Sequence, residues 1–370
     1  MATTFKTFLN NDIASTRTML HEAIPITGSL ISGTYGANTV ELGSEPHIKS
    51  YSHGMFQSVY DYPFLSSSAN HIFDVSVGIS AQSELYSATT SQQAKKTNIY
   101  NQMAQVLMGH DVTGSIQEFD EDGNILGGGT KLREVFFLNF ARLLAKDEVK
   151  KGSFQLELGT QDTFSQEING VMDERVLITD ASGSDGFFVN SPAGEYGVLY
   201  AQNSEGTPLT NEDVACGLLF YQAGIAVISG SVFNDADNAG LLDTTEGTVQ
   251  MSDTTGDTGF DFITASTIDT CANGIRNRIY NLQFNNTTEL NSSIYFCRVN
   301  HNDFNYSANP TYLSGSKIRV KDSTVDNPVS YITTVGLYSA DNELLAVAKL
   351  SEPLKKDPST EMTLRVRLDY

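Results

Sequence analysis

Short apolar runs, each closed by a cluster of Gly, Ser, Asn or Asp, recur along most of this chain and restrict the folds open to it. Residues 72–79 alternate with Phe73, Val75, Val77 and Ile79 on one face, and 154–159, 175–180, 197–200 and 217–228 continue the pattern. Successive strand side chains point to opposite faces, so a run of this length between turn formers reads as a strand. Ala223-Gly224 divides 217–228 into two apolar halves and marks a tight hairpin or bulge. Irregularly spaced strands without a regular βαβ alternation point to antiparallel pairing. The expected class is α+β, mostly β, with antiparallel sheets in β-sandwich-like modules and two helices in the N-terminal half.

The first helix is expected over 91–108, where Ile99, Met103, Val106 and Leu107 repeat at helical spacing and Gly109 supplies a C-cap. A second is expected over 131–146, apolar on most of its surface through Val135, Phe136, Phe137, Leu138, Phe140, Leu143 and Leu144. A shorter helix is expected over 264–275. Residues 234–262 are acidic and rich in Thr and Gly, which reads as an exposed loop. The composition shifts suggest an N-terminal arm with strands at 1–50, an α+β domain at 51–152, a β-rich domain at 153–289 and a C-terminal β-module at 290–370.

That last module ends in a three-strand meander over 331–370. Ile332, Val335 and Leu337 lead into the polar turn 339–342, and Leu344, Leu345, Ala346, Val347 and Ala348 return. Pro358 lacks an amide donor and ends the second strand. Met362, Leu364, Val366 and Leu368 then form one face of a third strand, opposite Thr363, Arg365, Arg367 and Asp369. Lys355, Lys356, Arg365 and Arg367 form a small basic cluster at the end of an acidic chain.

The 44 acidic and 23 basic residues give a formal charge of −21, which argues against a surface that wraps nucleic acid. Cys216, Cys271 and Cys297 are odd in number and far apart, so reduced thiols are expected. Neither a leader-like apolar segment near Met1 nor a membrane-length apolar run is present, and no membrane partner is expected. Asp235, Asp237, Gly240, Asp243 and Glu246 fall at calcium-loop positions one, three, six, nine and twelve. Position five is Ala239 and the flanks are not helical, so the ion site is a weak candidate. His53 and His71 lack ligands at zinc-like spacing and read as structural. Gly127-Gly128-Gly129-Thr130-Lys131 lacks the spacing of a phosphate loop. No nucleophile elbow, dinucleotide fingerprint or paired-His motif appears, so neither a catalytic site nor a cofactor is expected. A carboxylate pair of the glycosidase type stays open, because its geometry is invisible in a sequence.

Aromatic side chains bury large area and favour interfaces. Phe56, Tyr60, Tyr62 and Phe64 gather in one stretch, and Tyr306 and Tyr312 lie in a polar loop. With Arg365 and Arg367 they are the candidate interface residues. Three segments, 53–63, 136–144 and 335–346 with Lys355 and Lys356, carry a family likeness. Through them the chain resembles structural proteins of T4-like tailed phages of marine and cyanobacterial hosts, and its end resembles tail-fibre and baseplate-associated proteins. The resemblance implies a non-enzymatic virion protein of the tail, baseplate or neck, assembled in the host bacterial cytoplasm. Its partners would be other virion proteins and further copies of itself in a symmetric assembly, without direct nucleic-acid contact. Fibre attachment or host recognition is one alternative, and a virion-associated carbohydrate-active enzyme is another.

Overall fold

Glu134–Asn139, the run EVFFLN, is the centre of the fold and is a strand. The structure is a computed structural model that describes residues 6–25, 47–60, 63–87, 89–124, 129–144, 147–160, 174–181, 187–204, 209, 211, 213–235, 237, 240–242, 249, 251, 259–305, 313–314, 317–318 and 329–370. Glu134–Asn139 pairs antiparallel with His71–Ile79 on one side and with Ile225–Ser229 on the other. The helix expected over 131–146 is therefore absent, and only a single turn of 3-10 helix, Ala141–Leu143, follows the strand. The reason is burial on both faces. Register puts Phe137 on one side of the sheet, where it meets Phe119, and Phe136 on the other, where it meets Phe233. A strand covered twice shows no alternation and cannot be told from a buried helix by period.

This strand belongs to an eleven-stranded sheet whose pairs are all antiparallel. Across the sheet run Ile279–Gln283, Gln155–Gly159, Arg175–Thr179, Gly194–Asn203, Val214–Phe220, Ile225–Ser229, Glu134–Asn139, His71–Ile79, Gln57–Tyr60 and Ile48–Ser50. Phe187–Ser191 pairs with the first half of Gly194–Asn203. The class is α+β, mostly β, as the turn-broken runs require. The expected segments 51–152 and 153–289 share this one sheet. Over one face, Tyr100, Phe119, Phe137, Phe220, Tyr196 and Phe188 form a chain of ring contacts with neighbouring centroids 5.3 to 6.3 Å apart.

Ser91–Leu107 is the one α-helix described in the N-terminal half, opened by Thr90, whose side chain accepts from the Gln93 N–H. Its buried face includes Ile99 and Leu107 as expected, with Met103 half-buried against the core, but it is centred differently. Val106 is exposed, whereas Lys96, Tyr100, Ala104 and Leu107 are buried. In place of one helix over 264–275, Gly259–Ala265 and Ile268–Arg278 are separated at Thr267, which caps the second by accepting from the Thr270 N–H. The stretch 234–262 is not simply an exposed loop either. Among its described residues Asn234, Leu241, Leu242, Val249, Met251 and Phe262 are buried. Sparse apolar residues in a polar sequence anchor it to the core.

The chain divides into two compact units, a central one, Leu20–Thr288, and a terminal one, Met1–Met19 with Glu289–Tyr370. The long strand Asn285–Val299 begins in the first and ends in the second. In the terminal unit the expected meander is two separate pairings. Ser330–Tyr338 pairs with Leu344–Lys356, whereas Met362–Asp369 leaves them and pairs with Asn285–Val299, from Ser292↔Asp369 to Val299↔Met362. The turn after Lys356 redirects the chain, because the Asp357 carboxylate accepts from the Ser359 N–H and from the Ser359 and Thr360 hydroxyls.

Candidate docking surface

The hairpin Ser330–Lys356 combines an isolated strand pairing with exposed apolar side chains. Its strands pair with each other and, among the described residues, with no third strand. An isolated two-stranded ribbon is marginal in water. Its turn is well built, with the Ser339 N–H donating to the Glu343 carbonyl and Asn342 in the left-handed region at φ 64°. Its base is fixed too. The Lys356 ammonium is buried and donates to the His301 carbonyl, the Asn305 side-chain oxygen and the Asp357 carbonyl, and the Ser330 hydroxyl donates to the Phe304 carbonyl.

Between the fixed base and the turn, apolar side chains face water. Tyr338 is 45% exposed, Leu344 53%, Leu345 68% and Val347 52%. Four large apolar groups close together on one ribbon are unlike apolar residues scattered singly, which are ordinary on a protein surface. Gly336 leaves room for two of them, since a Cβ there would lie 2.9 Å from the Tyr338 ring and 3.3 Å from Leu344.

Charge is divided unequally between the units. The central unit holds 33 acidic and 12 basic residues, hence the whole formal −21, and the terminal unit holds eleven of each. Residues 176–275 contain no Lys, Arg or His. Most of the perturbed carboxyls of the two units also respond to acid with opposite sign. In the central unit desolvation pushes Asp120, Glu121, Glu134 and Asp180 up, although hydrogen bonds hold Asp111 and Asp122 low. In the terminal unit, hydrogen bonds from neighbours hold Asp12, Asp303, Asp357, Glu361 and Asp369 below the usual carboxylate range. A raised carboxyl stabilises the fold below its unfolded pKa and loses that effect as pH rises through its folded value. A lowered one stabilises above its unfolded pKa and loses that effect as pH falls through its folded value. Acidification from neutral pH is therefore expected to relieve the central unit before the terminal unit weakens, which begins only as pH falls through the ordinary carboxylate range, about pH 4. Peptide-resolved hydrogen exchange, corrected for intrinsic rates, checks which unit opens first.

The expected interface residues are scattered. Tyr51, His53 and Phe56 stack together, and Tyr60 packs on Phe64 and His71, so Phe56, Tyr60 and Phe64 are half-buried within the central unit. Both histidines are engaged as structural groups, His53 through the Met55 N–H and His71 through Asp74. Tyr62, Tyr306 and Tyr312 lie outside the described residues, as do Asp243 and Glu246 of the calcium-loop candidate. Asp237 is exposed, and Asp235 accepts at its backbone carbonyl from the Gly240 N–H. Among the described residues no group of three His, Cys, Asp or Glu side chains is placed to hold a metal. The expected basic cluster is dispersed, since Lys356 is buried, Lys355 lies 3.5 Å from Asp357, and Arg367 donates to Asp369 and Ser292. Arg365 is exposed on Met362–Asp369. In the acidic turn 120–123, Asp120 is buried in an ion pair with Lys131.

Two polar centres, one half-buried and one buried, escape sequence reading. Asp180 accepts from the Gly152 and Phe154 N–H groups and the Tyr221 hydroxyl, which fixes the turn before Gln155–Gly159. Lys96 donates to the carbonyls of Ile263, Thr264 and Ser266 at the end of Gly259–Ala265. No residue type separates Lys96 from Lys95 beside it, which is half-buried and donates to the His53 carbonyl, since both carry the same side chain. Each of these groups is occupied by its structural partners. All three cysteines are free thiols, with burial pushing Cys271 up to about 12. Among the described residues no helix is long and apolar enough to cross a membrane. No protein-family model, curated protein or solved structure matches the chain.

Proposed function

We propose that this chain is a structural subunit of a tailed-phage particle, working by assembly in the tail, baseplate or neck, with the hairpin Ser330–Lys356 as its docking element. The single observation that carries the reading is that hairpin, fixed at its base by Lys356 and Ser330 and exposing Tyr338, Leu344, Leu345 and Val347. The resemblance of segments 53–63, 136–144 and 335–346 to T4-like virion proteins supports the setting. Its partners are other particle proteins and further copies of itself, and its chemistry is burial of apolar surface. Interfaces draw most of their energy from a few aromatic and apolar anchors in their desolvated centre, and the hairpin offers such a group.

The test uses particles grown from a genome whose copy of this chain carries Leu345→Asp and Val347→Asp. Both sites are exposed, so the variant is expected to fold with an unchanged circular dichroism spectrum. Quantitative mass spectrometry of purified particles is expected to find it depleted by about tenfold or more, the effect of losing about 1.4 kcal/mol of docking energy. Particles carrying the variant at the wild-type level would overturn the reading, as would absence of the wild-type chain from particles.

A further inference from the structure

We infer that the exposed face of the hairpin is covered by the same face of a second copy of this chain, the two ribbons lying antiparallel about a two-fold axis near Ala346. The inference deepens the docking reading above and rests on it.

The apolar groups fit a self-complementary contact. With the axis at Ala346, Leu345 of one copy lies across from Val347 of the other, and the same contact occurs twice, as an isologous interface requires. Tyr338 and Leu344, packed over Gly336, flank the pair. Charge selects the antiparallel orientation. Asp341, Glu343 and Glu352 balance Lys349, Lys355 and Lys356, so the hairpin is neutral, and its sign changes along its length. The turn carries Asp341 and Glu343, and Lys349 follows one short strand segment later; all three are exposed. The antiparallel arrangement sets Glu343 across from Lys349 at both ends of the contact, whereas a parallel one sets like charges together.

Contact through the face rather than the edge follows from the pairing. Between Ile332↔Leu354 and Thr334↔Lys349 only Thr333 stands opposite residues 350–353. This bulge, which contains Pro353, interrupts the outer edge of Leu344–Lys356 and blunts it against strand addition.

The division of charge between the units adds a salt dependence. Copies meet through the terminal unit, which is neutral, but each brings a central unit of −21 that repels the other. The screening length falls from about 30 Å at 0.01 M salt to about 8 Å at 0.15 M. Moderate salt therefore strengthens the pairing, whereas it would weaken docking of the acidic unit on a basic partner.

Sedimentation analysis of the full chain over a range of concentrations, at 20 and 150 mM NaCl, tests the inference. Wild type is expected to dimerise, and more tightly at 150 mM. Glu343→Lys or Lys349→Glu alone is expected to raise the dissociation constant about tenfold, and the double exchange to restore it to within about threefold. Both sites are exposed, so unchanged circular dichroism keeps the comparison free of folding effects. Single exchanges without effect, or a double exchange no better than the worse single one, would overturn the pairing. So would a chain that stays monomeric at every concentration. If such a monomer still enters particles in a way that depends on Leu345 and Val347, the docking reading stands with another particle protein on the hairpin; if it does not, both fall.

Discussion

Lys96→Met lowers the stability of the central unit by about 2–4 kcal/mol, as judged from cost per orphaned buried polar group. Met keeps most of the apolar stem, so the change isolates the ammonium. Lys96 is fully buried, and its Nζ lies 2.5 Å from the Ile263 carbonyl, 3.3 Å from that of Thr264 and 2.5 Å from that of Ser266. These are carbonyls at a helix C-terminus, where the helix itself provides no partner and a cation is favoured. Removing the donor strands buried acceptors, and that cost exceeds the gain from no longer desolvating a charge. Desolvation lowers the Lys96 pKa from its ordinary value of 10.5. The unfolded chain then binds that proton more tightly, so stability rises with pH between the folded value and 10.5. Denaturant titration at pH 7 and in the alkaline range is expected to show the loss in Lys96→Met and no such rise.

Gly224→Val has a comparable effect, about 2–4 kcal/mol, because two penalties coincide. Gly224 sits in the turn between Val214–Phe220 and Ile225–Ser229 at φ 63°, a conformation that costs a β-branched residue dearly. A Cβ there would also lie 2.8 Å from the Ala141 Cα, a backbone atom that cannot rotate away. The Gly224 carbonyl accepts from the Phe140 N–H, so a shift of the turn disturbs the 3-10 turn after Glu134–Asn139 as well. Thermal unfolding measures the change. By contrast, Leu345→Asp with Val347→Asp leaves stability within about 0.5 kcal/mol, since both are surface positions, and acts on docking alone.

How far these features are legible in the sequence depends on what specifies them. His71–Ile79 and the hairpin around Gly224 are written locally, one as a period-two pattern and the other as a turn residue between apolar halves. Ser91–Leu107 is legible as a helix and Ile99 and Leu107 mark part of its inner face, but the inward turn of Lys96 and Tyr100 is not legible, because their partners lie far away in sequence. Glu134–Asn139 is misread because burial on both faces erases alternation, and the information that distinguishes it from a helix lies in the strands beside it. Met362–Asp369 was expected beside Leu344–Lys356, its neighbour in sequence, yet the Asp357 turn sends it to Asn285–Val299. The docking surface was half legible. Its strands and turn follow from the sequence, but which apolar residues stay exposed depends on the ribbon pairing, among the described residues, with no third strand. The aromatics at Phe56, Tyr60 and Phe64, chosen by type, proved to pack on their own neighbours.

The most direct test of the central claim is a cryo-microscopy map of the intact particle at a resolution that traces Ser330–Lys356. The account predicts that Tyr338, Leu344, Leu345 and Val347 lie buried against a neighbouring chain. A map in which that ribbon stands in solvent, or particles that lack the chain, would contradict it.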